Sequence, residues 1–277
     1  MNKKILFNII EKYEPHLEEG GLRCLGKFKE NKKDQPLITI ITTIKNGENF
    51  FEEALQSLRK QKYQNFEHIV IDGNSKDRTI DIIKKNNEHI DYWVSVNDKG
   101  IYDGFNLGMR LARGKYLGFM NSDDQLTPDA LSILIDYLNK YPKLDFIFGS
   151  VKKHWGVLHG YKPWKIKWSW GFYSSHSTGF FIKTDSAQKN GFYDLKYKYS
   201  ADYDYFYRMI VKNKMKGIGT KKEELFGHFR RGGYSSTINF MDHFFEETKI
   251  RIDNGQNVLL VLLIFVFKYL KHLKKIK

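Results

Sequence analysis

Four short apolar runs punctuate the first half of the chain: LITIITTI (37–44), EHIVIDG (67–73), DYWVSV (91–96) and KYLGFMN (115–121). They are rich in β-branched and aromatic residues. Three of the four are almost continuously apolar, which predicts strands covered on both faces. Between the first two runs Phe51, Ala54, Leu55 and Leu58 recur at helical spacing; before the fourth, Ile101, Phe105, Gly108, Met109 and Ala112 do the same, with Gly114 placed to end that helix. The order predicted is βαβαβαβ, an α/β fold on a mostly parallel sheet with flanking helices.

After the fourth run, Thr127-Pro128-Asp129 reads as a helix start with a capping side chain, and Leu131, Leu134, Ile135 and Leu138 share the face that follows, up to Pro142. From residue 145 to about 237 the alternation breaks into strand-like runs (DFIFGSV, STGFFIK) and an aromatic, basic stretch from His154 to Tyr173. The expected organisation is an extension over 1–35, a domain over 36–237 with a nucleotide half (36–125) and a smaller acceptor-binding half (126–237), and a tail over 238–277. In that tail VLLVLLIFVF (258–267) is half of the roughly 20 apolar residues a membrane-spanning helix needs. With KYLKHLKKIK after it, the segment reads as a basic amphipathic helix lying on a membrane surface; an oligomer or core helix is the alternative. At the other end, MNKKILFNIIEKYEPH opens like a signal peptide, but Glu11 stops the apolar run, and no export signal is expected.

A formal net charge of +14 asks for an anionic partner: nucleic acid, acidic lipid headgroups or a phosphorylated small molecule. No nucleic-acid motif, Walker loop or dinucleotide glycine fingerprint accompanies the charge, so no nucleic-acid partner is expected. The single cysteine, Cys24, excludes an intrachain disulfide framework and a cysteine-based zinc cluster, and points to a reducing, cytoplasmic setting. An aromatic content of 16% supplies flat surfaces for bases and sugar rings as well as core volume.

In open α/β sheets ligands bind outside the carboxyl ends of the strands, so the polar residues trailing each run are the candidates. After the first come Thr42, Thr43 and Asn46; after the second Asp72, Gly73, Asn74 and Ser75, with Asp77 and Thr79; after the fourth Asn121, Ser122, Asp123 and Asp124. Two adjacent carboxylates at a strand end repel each other unless a cation or strong donor lies between them. Mg²⁺ or Mn²⁺ fits, because such ions take few protein carboxylates and complete their shell with water and phosphate oxygens. The plain alternative is a turn or helix cap ahead of Pro128.

The segments TIITTIKN, HIVIDGNSKDRT, DKGIYDGFNLG and YLGFMNSDD, in that order, resemble the successive motifs of family 2 glycosyltransferases with the GT-A fold. The likeness runs from about Pro36 to Thr237, and DKGIYDGFNLG most resembles the colanic-acid and capsule subgroup. The resemblance implies a nucleotide-sugar donor (UDP or GDP), a divalent metal, and a glycan or polyprenyl-linked acceptor in surface-polysaccharide or lipid-linked glycan assembly. It assigns Thr42, Thr43 and Asp72 to the base and ribose, and Asp98, Lys99, Tyr102, Asp103 and Asn106 to the donor sugar and phosphates. The family's Asp-x-Asp motif becomes Asn121-Ser122-Asp123, followed by Asp124; Asp123 is assigned to ribose or metal and Asp124 to the metal, with the roles open to exchange. SADYDYFYRM (200–209) resembles the segment carrying the catalytic base, which makes Asp202 the base and Asp204 its rival. His176 borders the acceptor strand, and HFRRGGYSST (228–237) stands where a mobile loop brings Arg230 and Arg231 toward the diphosphate, with His228 as a third metal ligand. Localisation on the inner face of the cell membrane follows from the tail.

Two other classes compete. A sugar-phosphate nucleotidyltransferase shares the nucleotide half but opens with a glycine-rich basic loop, whereas TTIKNGENF holds one glycine. A non-catalytic basic module would bind membranes or RNA without turnover.

Overall fold

The computed structural model describes residue 13 and residues 18–168, 177–230, 232 and 239–271. Its strands are β1 (Glu18–Gly20), β2 (Ile38–Ile44), β3 (Phe66–Asp72), β4 (Tyr92–Ser95), β5 (Tyr116–Phe119), β6 (Gln125–Leu126), β7 (Phe146–Phe148), β8 (Ser150–Lys153), β9 (Gly156–Leu158), β10 (Phe180–Lys183), β11 (Gly217–Gly219) and β12 (Leu225–His228). Its helices are α1 (Phe51–Arg59), α2 (Thr79–Lys85), α3 (Ile101–Leu111), α4 (Ala130–Lys140), α5 (Lys165–Trp168), α6 (Thr184–Asn190), α7 (Ala201–Tyr207), α8 (Phe240–Asp253) and α9 (Val258–Lys271).

The main sheet runs β1-β4-β3-β2-β5-β10-β7-β11, with β2, β3, β4 and β5 mutually parallel and β10 antiparallel to both its neighbours. All seven residues of β2 are buried, which is why its sequence shows no period-two alternation. A second sheet, β6-β12-β8-β9, carries the ends of the loops that follow β5 and β11.

Helix α3 packs on β2 through two glycines one turn apart. A Cβ on Gly108 would come within 2.2 Å of Ile41 Cγ2, and one on Gly104 within 2.7 Å of Thr43 Cγ2, so the spacing in GIYDGFNLG keeps the helix close to the sheet. Gly114 does not cap this helix, which ends at Leu111 with extended Ala112 after it. Gly114 is small because it donates its N–H to Thr39 Oγ1 at 2.9 Å, and a Cβ there would meet the Thr39 backbone. The expected side-chain cap of α4 is likewise missing: Asp129 flanks the helix without capping it and pairs with Lys62 at 2.6 Å.

Part of the N-terminal extension belongs to the sheet. Strand β1 pairs antiparallel with β4, and Arg23 is buried against Glu67 of β3 and the Leu111 carbonyl. The tail is joined as closely, since α8 packs on α7, and Phe244 of α8 stacks on Phe265 of α9 at 4.5 Å. Residues 1–12, with the signal-like start, lie outside the described residues.

Candidate active site

The loops at the carboxyl ends of β2, β3 and β5 lie against one another. Asn46, in a left-handed conformation (φ 52°), donates its N–H to Ser75 Oγ at 2.8 Å and accepts from Lys76 N–H at 2.8 Å. A Cβ on Gly47 would sit 3.4 Å from Ser122 Oγ, bringing the β5 loop to the same place. Asp72 is fully buried and holds the turn together: it accepts from Ser75 N–H (3.1 Å), Ser75 Oγ (2.5 Å) and Ser95 Oγ (2.6 Å).

The adjacent threonines of β2 face opposite sides, as a strand requires. Thr42 Oγ1 lies 3.0 Å from His68 Nε2, and burial, helped by Lys29, pushes that imidazole down to about 3, so it stays neutral. Thr43 faces α3, and its buried hydroxyl has no hydrogen-bond partner among the described residues. Beside it, the Asp98 carboxyl lies 3.0 Å from where a Cβ on Gly73 would stand and 3.3 Å from where one on Gly104 would. Burial pushes Asp98 up to about 6; the Gly100 N–H and Lys45 oppose the rise, and the Asp103 and Asp72 charges add to it. Asp103, on the first turn of α3, accepts from Lys99 N–H (3.0 Å) and Tyr13 OH (2.9 Å), while the Lys99 side chain is exposed at the helix start. Asn106 ties α3 to Tyr193 by a reciprocal amide pair of 2.9 and 2.8 Å.

The two aspartates after β5 differ sharply in surroundings. Asp124 is fully buried and joins three segments: its oxygens accept from Asn121 Nδ2 (3.0 Å), Thr178 Oγ1 (2.7 Å) and Arg230 N–H (3.3 Å). Asp123 is half-buried and lines a cleft of about 320 Å³ with Gln125, His228, Phe229 and Arg230. Burial, with Lys152 nearby, lowers the His228 pKa, which favours a neutral, ligand-competent imidazole. Asn121 Oδ1, standing where the family motif has a carboxylate, is buried without a hydrogen-bond partner among the described residues. The Arg230 guanidinium pairs with Glu53 at 2.5 Å and lies 4.1 Å from the Phe50 ring, so it is held on α1. Arg231 and His176 lie outside the described residues.

Across the crevice, Asp202 is the second residue of α7. Its Oδ1 accepts from Tyr203 N–H at 2.8 Å and from Tyr102 OH of α3 at 3.2 Å. Burial and the Asp202 charge push the Tyr102 hydroxyl well up, so it remains a donor. Asp204 is turned to structure: it pairs with Arg208 at 2.8 Å and accepts from Asn254 Nδ2 at 2.8 Å. Lys153, at the end of β8, lies within electrostatic range of a carboxylate on each wall. Its ammonium lies 4.4 Å from the Phe229 ring, and although burial lowers its pKa, the charges of both Asp124 and Asp202 act on it in opposition. Nothing in the aperiodic stretch around Lys153 marks it in the sequence.

Among the described residues no three His, Cys, Asp or Glu side chains are grouped closely enough to hold a metal alone. The donor set still fits a hard cation that keeps one or two protein ligands and otherwise binds phosphate oxygens: Asp123 and His228 line one cleft, and the unpartnered Asn121 Oδ1 is an amide oxygen of the kind such ions accept.

The fold is that of the GT-A class. A model described as Glycosyl transferase family 2 matches residues 39–199, more than half of the 277-residue chain, and the chain belongs to that family. It is 30% identical over 188 residues to an uncharacterized glycosyltransferase of Rickettsia prowazekii, covering 63% of this chain and 59% of the relative. To one of Mycobacterium tuberculosis it is 27% identical over 225 residues, covering 72% and 83%. The chain thus spans about three fifths of the length of that Rickettsia relative. Among solved structures, Staphylococcus aureus TarS 1–349 in complex with UDP-GlcNAc superposes with a TM-score of 0.64 at 17% identity, covering 86% of this chain and 72% of that one. The mannosyltransferase PcManGT of Pyrobaculum calidifontis, in complex with GDP-Man and Mn²⁺, gives 0.63 at 16% identity, covering 98% and 79%.

Proposed function

We propose that this chain is an inverting, metal-dependent glycosyltransferase that moves a sugar from a nucleoside-diphosphate donor to an acceptor hydroxyl in surface-polysaccharide or lipid-linked glycan assembly. One juxtaposition carries the reading: Asp202 on the acceptor side meets Tyr102 from the donor side, and Lys153 answers to both Asp202 and Asp124. Asp202 takes the proton of the acceptor hydroxyl as that oxygen bonds to the anomeric carbon. The anomeric carbon–phosphate oxygen bond breaks on the opposite face, and its electron pair leaves with the nucleoside diphosphate. Lys153 and the N-terminus of α3, where Lys99 is exposed, offer positive charge to the phosphates. Bound Mg²⁺ or Mn²⁺, held by Asp123 with Asn121 Oδ1 and His228 to hand, would neutralise charge on the departing diphosphate. Thr43, whose buried hydroxyl has no hydrogen-bond partner among the described residues, is the better of the two threonines for the donor. Purified protein with Mn²⁺ is expected to release UDP or GDP slowly from a cognate nucleotide sugar. Silence across a donor panel, with tight salt-sensitive RNA binding, favours the non-catalytic basic module.

The two aspartates separate in a binding experiment. Asp123→Ala is expected to remove the Mn²⁺-dependent gain in UDP or GDP affinity, about tenfold or more, at unchanged melting temperature. Asp124→Ala, which leaves Thr178, Asn121 and Arg230 N–H without their buried acceptor, is expected to lower the melting temperature as well. Calorimetric titration with and without Mn²⁺ checks both. Intact Mn²⁺ dependence in Asp123→Ala would remove it from the metal site.

For the tail we propose a membrane surface on the cytoplasmic side as partner. No helix among the described residues is long and apolar enough to cross a membrane. Helix α9 nevertheless leaves Leu259 72%, Leu263 68%, Phe267 58% and Leu270 58% exposed, while Val261 and Lys268 are buried against the rest of the chain. Lysines 271, 274, 275 and 277 follow that apolar face, a composition suited to anionic headgroups. The variant carrying Leu259→Asp, Leu263→Asp and Phe267→Asp is expected to lose co-sedimentation with anionic vesicles while keeping nucleotide release; undiminished co-sedimentation sinks the anchor.

A further inference from the structure

The segment that presents Asp202 is gripped from outside the matched family region, by α8. The Glu246 carboxylate accepts three backbone N–H groups in a row, from Lys198 (2.6 Å), Tyr199 (2.7 Å) and Ser200 (2.6 Å). Ser200 flanks the start of α7, yet its hydroxyl does not cap the helix; it lies 3.0 Å from His243 Nδ1, one turn before Glu246. Two further bonds close the grip: Tyr197 OH donates to Asp253 Oδ2 at 2.7 Å, and Asn254 Nδ2 to Asp204 Oδ1 at 2.8 Å. The segment 197–204 is thus held at both ends and in the middle by one helix and the residue that follows it.

We infer that Glu246 is a positioning residue for the transfer reaction, fixing through the amides of residues 198–200 where the Asp202 carboxylate stands against Tyr102. The inference rests on the reading of Asp202 as the base. Three charge-assisted bonds to consecutive amides define the height and angle at which α7 begins. Asp202 is only two residues past the last of them, so its carboxylate moves with that anchor. A base displaced by about 1 Å from the acceptor hydroxyl loses on the order of 10²-fold in rate, whereas donor binding, made on the other wall, does not depend on this contact.

The test is Glu246→Gln in the full chain, which keeps shape but removes the charge and one acceptor oxygen. With UDP-GlcNAc and GDP-mannose as probes and Mn²⁺ present, kcat for nucleotide release is expected to fall about 10- to 100-fold with donor KM within about twofold. Amide hydrogen exchange at residues 198–200 should rise, with the melting temperature nearly unchanged. Combined with Asp202→Asn, Glu246→Gln should cost nothing further in rate, because the base it positions is already gone. Wild-type kcat in Glu246→Gln, with Asp202→Asn crippled, overturns the positioning role alone; a wild-type rate in Asp202→Asn overturns the base reading beneath it. Unchanged exchange at 198–200, or KM and melting temperature falling away together with kcat, also counts against the inference.

Discussion

Asp202→Asn is expected to lower kcat for nucleotide-sugar turnover by about 10²- to 10⁴-fold, the range that a positioned general base contributes, while leaving UDP or GDP affinity in Mn²⁺ unchanged. Asparagine keeps the shape and can still accept from Tyr102 OH and Tyr203 N–H, the contacts that orient the carboxylate. It cannot accept the acceptor's proton. The control is Asp204→Asn, two residues on. That carboxylate is 3% exposed and engaged by Arg208 and Asn254, so its loss should appear as reduced thermal stability before it appears in rate. Single-turnover nucleotide release, with calorimetric titration of the donor nucleotide, separates the outcomes. Equal loss of donor affinity in Asp202→Asn, or a larger rate loss in Asp204→Asn, moves the base elsewhere.

The nucleotide half was legible because its strands are buried on both faces, and β-branched runs such as ITIITTI, with no charged residue, have few other homes. Strand β1 escaped notice since EEG carries no strand signal; it exists because β4 offers an edge to pair with. The reversed insertion of β10 between β5 and β7 is equally silent in sequence, being a matter of long-range pairing. At the site the chemistry was legible but not its direction. Sequence marks Thr42 with Thr43, and Asp123 with Asp124, as pairs; only the pleat and the turn decide that Thr42 meets His68 and that Asp124 turns inward to Thr178. Arg230 read as a phosphate ligand because arginine suits phosphate, yet Glu53 and Phe50 hold it on α1. Lys153 and Glu246 have no local pattern at all. Each gains its place from a neighbour distant in sequence, Phe229 for the first and residues 198–200 for the second.

The apolar tail was visible as a surface helix, but its attachment was not. A charged side chain inside an otherwise apolar stripe reads as solvated, whereas Lys268 turns inward. It pairs with Glu247 at 2.5 Å, with both side chains under 10% exposed (7% and 6%), and lies 5.3 Å from the Phe244 ring. Glu247 follows Glu246 directly, so the contact that docks α9 and the contact that anchors the Asp202 segment are adjacent on α8.

Lys268→Met is accordingly expected to destabilise the fold by about 3–5 kcal/mol, because it strands a buried carboxylate, which for a chain of this size lowers the melting temperature by roughly 6–20 °C. Adding Glu247→Leu should restore most of the loss, since replacing both members of a buried pair with apolar groups of similar volume is close to neutral. The pH dependence gives an independent sign. Burial raises the Glu247 carboxyl above its ordinary 4.5 even with Lys268, Arg251 and His243 opposing. A folded-state carboxyl with a raised pKa contributes stability below the unfolded value and loses it as pH climbs through the folded value. Without Lys268 the rise is greater, so the deficit of Lys268→Met should be small near pH 5 and larger near pH 8. Urea unfolding of the single and double variants at both pH values measures this. A deficit that is flat with pH, or a double variant no more stable than the single, means that the pair does not hold α9 to α8 in solution.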